Sequence, residues 1–360
     1  MKSYPVPLVP GPVTVPEEFR TAYIIDFGSS DLEEDFFSLY DEVQKKLQNL
    51  LETDETVVIQ SGEAMGALWG ALKSVLAPRS RVLAVAAGLF GRGFADMARA
   101  LGHDVEIVAF GDDEIPEPEK VIDRIRTYRP HLVTAVHCET PSGTLAVLDG
   151  IGQATREAGA LFCVDFVSSA GGAPLSVDTE FIDLGLLGSQ KVLSLPPDLA
   201  VTTVSSRAWK AIARTGYVGY DALAPWQEVP HCRCLPYTHN WHALEALRRS
   251  LEAIEREGKE AAFERHRLVA AHCRRRLQEL GLFLHPRRES YCSPTVTAVR
   301  VPDGWTWTDL DRKCRAKGVV FGSSFGDLAG KVFRVGHMGS QARLDLVDRG
   351  LDLLARVLDR

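Results

Sequence analysis

Between residues 56 and 206 the chain alternates short apolar runs with amphipathic stretches. Residues 57–59 precede a helix opening at Ala64, residues 82–85 precede one opening at Gly91, and residues 105–108 precede one over 118–128. Residues 132–136 then precede a helix over 149–158, and the run 161–164 follows. Strands alternating with helices of this length predict right-handed crossovers and an α/β fold, with a mainly parallel sheet covered by helices on both faces. Ligands of such sheets gather at the carboxyl ends of the strands. Gly62, Gly88, Thr140, Asp165 and Lys191 each fall just after a predicted strand, so five segments converge on one rim.

After His242 the pattern changes. Residues 243–280 predict one long helical stretch with a solvated charged face. Residues 295–301 alternate as a strand, 307–317 predict a helix, 319–321 and 332–335 predict strands, and 340–358 predict a closing helix. The expected organisation is therefore an N-terminal segment over 1–20, a large ligand-holding domain over 21–258 and a smaller α+β domain over 259–360. The proline-rich stretch 5–16 is too irregular to predict an element and is expected to lie across the surface of both domains.

Composition narrows the partners. With 360 residues, 45% of them hydrophobic, the chain can bury a large core, and a formal charge of −7 argues against a nucleic-acid surface. The seven cysteines are scattered, several inside apolar runs, as expected of reduced thiols in a cytoplasmic protein. Cys232 and Cys234 have no second pair at zinc spacing, so no metal site is expected. Neither a signal-like leader nor an apolar run of ~18 residues is found, and no membrane partner is expected.

Lys191 is the candidate around which chemistry gathers, a lone cation at the end of an otherwise apolar run that begins at Ile182. Burial disfavours an ammonium and makes the lysine a nucleophile able to form a Schiff base with an aldehyde. Asp165 ends a second apolar run and could hold a heteroaromatic ring nitrogen protonated. A structural Lys/Asp ion pair is the alternative, and the two residues alone leave both open.

The rim segments in order resemble the class V aminotransferases of fold type I, the group that includes the alanine-glyoxylate, serine-pyruvate and pyridoxamine-pyruvate aminotransferases. The resemblance spans nearly the whole chain. It rests on Pro10-Gly11-Pro12, Ser61-Gly62-Glu63-Ala64-Met65-Gly66, Gly88-Leu89-Phe90-Gly91, His137-Cys138-Glu139-Thr140-Pro141-Ser142-Gly143, Val164-Asp165-Phe166-Val167-Ser168-Ser169, Gly188-Ser189-Gln190-Lys191 and Arg334-Val335-Gly336-His337-Met338-Gly339. It implies pyridoxal 5'-phosphate as cofactor, with Lys191 as the Schiff-base lysine and Asp165 on the pyridine nitrogen. By the same resemblance the amides of Ala64 and Met65 and the side chain of Gln190 hold the phosphate. Phe90 stacks on the ring, Val167 packs beneath it and Thr140 reaches the ring oxygen. Arg334 grips the substrate carboxylate bidentately, with Gly11 beside it. Tyr237 and Asn240 match a phosphate contact from a neighbouring subunit, which implies a homodimer with a shared active site.

Each of these residues has a plainer reading as a turn, a helix cap or a core side chain, and it is the ordered set that favours chemistry. Three departures stand out. Residues 26–31 lack the family's basic pair, Glu63 replaces a small polar residue in the phosphate turn, and Asp198 follows the paired prolines where glycine is common. Residues 323–326 also lack an arginine that pyridoxamine-pyruvate aminotransferase carries there. The activity implied is transfer of an amino group from an amino-acid-like donor to a small 2-oxo acid, pyruvate or glyoxylate. The alternatives are a lyase of β-elimination or desulfurase type and a non-catalytic cofactor-binding regulator. Phe90 and Gln190 stand where a desulfurase generally has histidines.

Overall fold

A computed structural model describes residues 4–359. The chain opens with strand β1 (Val6–Leu8), the single turn α1 (Glu17–Arg20) and helix α2 (Glu34–Leu51). There follow β2 (Thr56–Ser61), α3 (Ala64–Val75), β3 (Arg81–Ala86), α4 (Leu89–Ala100), β4 (Asp104–Ala109), α5 (Pro118–Tyr128) and β5 (Leu132–Val136). A small hairpin of β6 (Cys138–Glu139) and β7 (Thr144–Leu145) leads to α6 (Ile151–Glu157), β8 (Leu161–Asp165), β9 (Leu184–Gly188), β10 (Leu199–Val204) and α7 (Ser206–Thr215). After the short α8 (Val229–Cys232) come α9 (Trp241–Glu257) and α10 (Lys259–Glu279). The remaining elements are β11 (Val296–Arg300), α11 (Trp307–Ala316), β12 (Val319–Ser323), β13 (Val332–Gly336) and α12 (Leu344–Leu358).

The expected α/β architecture is present. Seven strands form one sheet in the order β2-β10-β9-β8-β5-β3-β4. β10 runs antiparallel to both neighbours, while β9, β8, β5, β3 and β4 pair in parallel. β5, β9 and β10 are buried along their whole length, which is why they read as continuous apolar runs rather than alternating ones. A second sheet, ordered β1-β12-β13-β11, packs its own core from Leu8, Val299, Phe321, Phe333, Val335 and Leu351.

Three sequence expectations are corrected. The stretch 5–16 does form an element: β1 pairs in parallel with β12, and Val6 and Leu8 are buried rather than lying on the surface. Prolines mask it in the sequence, yet an edge strand tolerates them because its outer N–H groups need no partner. The long helix expected over 243–280 is two helices, broken at Gly258, which has φ +90°. An isolated glycine within a helical pattern costs too little to reveal a break. The closing helix starts at Leu344, after a separate turn at Gly339–Gln341.

Close packing of the crossover helices on the large sheet makes a testable point. A Cβ on Gly152, in α6, would lie 1.8 Å from the Glu180 carbonyl oxygen, whereas nothing lies within 4 Å of one on Gly93, in α4. Gly152→Ala is expected to lower stability by about 1–3 kcal/mol through overpacking. Gly93→Ala is expected to raise it by about 0.5–1 kcal/mol through helix propensity. Urea titration reads both as opposite shifts in midpoint, and shifts of the same sign would contradict the packing described.

Candidate active site

The carboxyl ends of β5, β8 and β9 deliver the central residues. Lys191 lies in the turn after β9, which is closed by a Ser194 N–H donating to the Lys191 carbonyl at 3.0 Å. Its Nζ donates to the Pro10 carbonyl at 2.7 Å. Burial, reinforced by the Arg334 guanidinium, pulls this ammonium down to about 8. Gly11 has φ +94°, and a Cβ there would fall 2.5 Å from Lys191 Cδ, so only glycine lets the N-terminal segment lie against the lysine.

Asp165 ends β8 with its carboxylate buried. Its Oδ1 accepts from the Val167 N–H at 2.8 Å, and burial pushes it up to about 6. Its charge reaches Lys191. Val167 itself is buried in the turn that follows. Thr140 and Ser168 share a very short hydroxyl contact, joining the β6–β7 hairpin to the Asp165 turn. Phe90, half-buried, sits in the first turn of α4.

Sequence reading missed Glu139. Its carboxylate accepts from the Gly91 N–H at 2.7 Å and the Phe90 N–H at 3.2 Å, capping α4 and fixing the backbone that carries Phe90. Burial pushes Glu139 up to about 7, against the pull of these two amides. The available signal was Gly88, where a Cβ would fall 2.6 Å from the Glu139 carboxyl carbon.

The helix N-terminus assigned to phosphate has an occupant of its own. Ala64 and Met65 open α3, and Glu63, its N-cap, accepts from the Met65 N–H at 2.8 Å. The Gln190 amide donates to the other Glu63 oxygen at 2.6 Å, while Gln190 Oε1 is buried without a partner. Asn240 caps α9, its Oδ1 accepting from the Ala243 N–H at 3.1 Å, and its own N–H donates to Ser61 Oγ at 3.1 Å. Tyr237 packs edge-on to Trp226, with ring centroids 5.4 Å apart. Both residues thus border the end of β2 in their own chain. Asp198 accepts from the Tyr23 hydroxyl at 2.7 Å, and its carbonyl accepts from the Gly62 N–H at 2.8 Å, tying the turn over Thr21–Ile24, the Gly62 turn and the Lys191 turn together.

Arg334 lies on β13 and is 4% exposed. Its Nε donates to the Ser323 carbonyl at 2.8 Å, as does its Nη2, and its guanidinium lies 4.7 Å over the Phe325 ring. Burial pulls it down to about 10.

These residues fit the ring and aldehyde of pyridoxal phosphate: a buried carboxylate for the ring nitrogen, a poised amine and a nearby aromatic. The amides at the start of α3 fit an anion, though the Met65 N–H must first be released by Glu63. No cluster of three potential metal ligands exists among the described residues.

The amine of Lys191 is neutral above about 8, so its reaction with an added aldehyde, trapped with borohydride and quantified by peptide mass spectrometry, is expected to rise with pH, pass half-maximum near 8 and level off. A profile still rising toward the ordinary lysine value of ~10.4 would show that the charge is not buried.

Comparison with known proteins agrees with this geometry. The family model for class-V aminotransferases matches residues 20–337. Pyridoxamine–pyruvate transaminase of Mesorhizobium japonicum is 33% identical over 319 residues, 87% of this chain and 81% of that protein. Alanine–glyoxylate aminotransferase of Oryctolagus cuniculus is 31% identical over 351 residues, 95% of this chain and 89% of that protein. The crystal structure of an alanine–glyoxylate aminotransferase from Nostoc sp. superposes with a TM-score of 0.94 at 31% identity, covering 99% of this chain and 96% of that one. The chain belongs to the class V aminotransferases, pyridoxal 5'-phosphate-dependent enzymes of fold type I.

Proposed function

We propose that the protein moves an amino group from an amino-acid-like donor to a small 2-oxo acid, pyruvate or glyoxylate, as the names of its relatives indicate for those proteins. The observation that carries this reading is the buried Lys191 amine, held on the Pro10 carbonyl within electrostatic reach of the Asp165 carboxylate and the Arg334 guanidinium. Bound pyridoxal phosphate supplies an aldehyde for amines and a ring that withdraws electrons from the Cα–H bond. Lys191 Nζ is the amine that would hold the aldehyde, and its position and lowered basicity would let it serve as the general base for the Cα proton. Asp165 Oδ2, free of the Val167 hydrogen bond, keeps a proton on the ring nitrogen. Arg334 holds the carboxylate common to both substrates, so one anchor serves both half-reactions. Phe90, steadied by Glu139, offers the aromatic face, Val167 the floor and Thr140 a hydroxyl. Elimination chemistry of desulfurase type has less support, since Cys314 is buried within α11 and not available as a mobile nucleophile.

We read residues 21–258 as the cofactor-holding domain and 259–360 as the smaller domain, a division supported by two separate cores and the Gly258 break. A homodimer is supported by the exposure of Ile24 (83%) and Leu32 (81%), in a segment whose Ile25, Ser30 and Asp31 hydrogen-bond to residues 238–242. In that assembly Tyr237 and the free Asn240 amide nitrogen serve a partner's phosphate site. The free thiols are in keeping with a cytoplasmic setting, and no described helix is long and apolar enough to cross a membrane.

A second reading concerns the donor and rests on Glu63. A carboxylate already bound to the Met65 amide at the start of α3 opposes a phosphate dianion and suits a neutral hydroxymethyl group. Pyridoxamine, the donor in the name of the Mesorhizobium relative, has that group in place of phosphate.

A single turnover with the true donor and no 2-oxo acid is expected to leave the amino group on the cofactor, and pyruvate or glyoxylate is expected to reverse the spectrum; sustained ammonia release would indicate elimination instead. Arg334→Gln is expected to lower kcat/KM by roughly ten- to a hundredfold, matching the loss of about 1.5–3 kcal/mol of charge-assisted hydrogen bonding.

Glu63→Ala is expected to tighten pyridoxal phosphate binding relative to pyridoxal by at least ~10-fold, since about 1.4 kcal/mol of repulsion is one decade. Alanine formation from pyridoxamine and pyruvate without added phosphate ester would support the second reading. Its absence from a protein that copurifies with pyridoxal phosphate would end it.

A further inference from the structure

Phe325 is an anomaly on the rim of the site. It is 48% exposed, yet its ring lies against the guanidinium of Arg334, which is 4% exposed and is the only buried arginine among the described residues. A large aromatic side chain left half in water, on top of a buried cation, is an arrangement that a substrate would complete.

The loop that carries Phe325 is held firmly. Ser324 Oγ donates to the Pro141 carbonyl at 2.8 Å, and the Ser324 N–H donates to the Val332 carbonyl at 3.2 Å. Gly326, at φ +57°, brings the turn so close to α4 that a Cβ there would lie 3.2 Å from Leu89 Cδ1. Phe325 is therefore a fixed wall between the guanidinium and the first turn of α4, the turn that also carries Phe90.

The guanidinium is equally constrained. Nε and Nη2 both donate to the Ser323 carbonyl, which closes the side edge and leaves the Nη1–Nη2 end to meet a carboxylate. Phe325 covers one face. On its other flank the Pro10 ring lies against Gly322, where a Cβ would be 2.5 Å from Pro10 Cδ and 3.7 Å from Arg334 Nε. One carboxylate thus finds a fork, and the surfaces next to that fork are apolar. The arginine on the adjoining helix, Arg92, is already paired with Asp112 at 2.8 Å. A second carboxylate directed at Phe325 would meet its ring rather than a cation and would sit unpaired there, which is costly.

We propose that Phe325 is a specificity-determining residue, restricting the enzyme to donors and acceptors with one carboxylate and a small or apolar remainder. This rests on the assignment of Arg334 as the carboxylate anchor and adds to it the identity of the wall that rejects dicarboxylic acids. The stacked ring also keeps the guanidinium plane in register with its fork, so Phe325 contributes to affinity for every carboxylate and to selectivity among them.

The two contributions separate experimentally. Binding of the unreactive acids propionate and glutarate to the cofactor-loaded enzyme would be measured by calorimetry for the wild type and for Phe325→Leu, Phe325→Arg and Phe325→Lys. The ratio of kcat/KM for pyruvate over 2-oxoglutarate would be measured in parallel. Wild type is expected to favour the monocarboxylate at least tenfold in both measurements. Phe325→Leu is expected to weaken both acids alike by a few-fold and to leave the ratio in place. Phe325→Arg or Phe325→Lys, each supplying the missing cation, is expected to shift the ratio toward the dicarboxylate at least tenfold, a change that a merely structural wall would not produce. A ratio unchanged within threefold in folded Arg and Lys variants overturns the proposal. So does a wild type that binds both acids equally. Arg334→Gln distinguishes the two levels: if it leaves propionate binding intact, the anchor assignment fails and the Phe325 proposal with it, whereas loss of binding there with an unmoved Phe325 ratio refutes only the wall.

Discussion

One amine held away from water sets the terms for the rest of the site. Taking a lysine ammonium out of solvent is costly, and Lys191 is placed beside a second buried cation, Arg334, which adds to the cost. The Pro10 carbonyl and the charges of Asp165 and Glu63 offset part of it. The balance leaves the amine titrating at about 8, where a lysine is a far better nucleophile and base than at its ordinary value. A fully compensated lysine would remain charged and inert, and a wholly uncompensated one would strain the fold.

That requirement accounts for the path of the N-terminus. Pro10 and Gly11 reach the lysine because β1 is bonded to β12 just before them, and the chain then passes over the C-terminal sheet at very short range. A Cβ on Gly336 would lie 2.1 Å from the Val9 carbonyl oxygen, and one on Gly322 would meet the Pro10 ring. Gln341 seals the crossing by donating to the Val9 carbonyl at 2.8 Å. Through this strap the sheet that carries Arg334 and the turn that carries Lys191 are held together, so the guanidinium and the amine keep a fixed relation.

The acidic residues divide the remaining work by environment. Asp165 accepts one backbone amide and leaves its second oxygen without one, whereas Glu139 spends both oxygens on the start of α4 and acts through the backbone of Phe90. Glu63 caps α3 and takes the Gln190 amide, which puts an acceptor at the positive end of that helix. Asp198, opposite Tyr23, braces the loops on which Gly62 and Lys191 ride. Four carboxylates of similar intrinsic acidity thereby hold four different duties.

The amino-acid sequence determined the alternation of strands and helices, the rim to which Gly62, Gly88, Thr140, Asp165 and Lys191 belong, and the family, because these rest on local periodicity and short motifs. Continuous apolar runs revealed β5, β8 and β9, since strands covered on both faces have no polar side to disguise them. Three features stayed out of reach: β1, hidden among prolines; the break at Gly258, hidden in a helical pattern; and the antiparallel course of β10, which no periodicity encodes. Glu139 beneath Phe90, Glu63 on the Gln190 amide and Tyr23 on Asp198 were decided by tertiary structure alone. Each depends on residues distant in the chain meeting at a few ångströms, and the electrostatic character of a side chain is set by those neighbours and by its burial, neither of which a local motif contains.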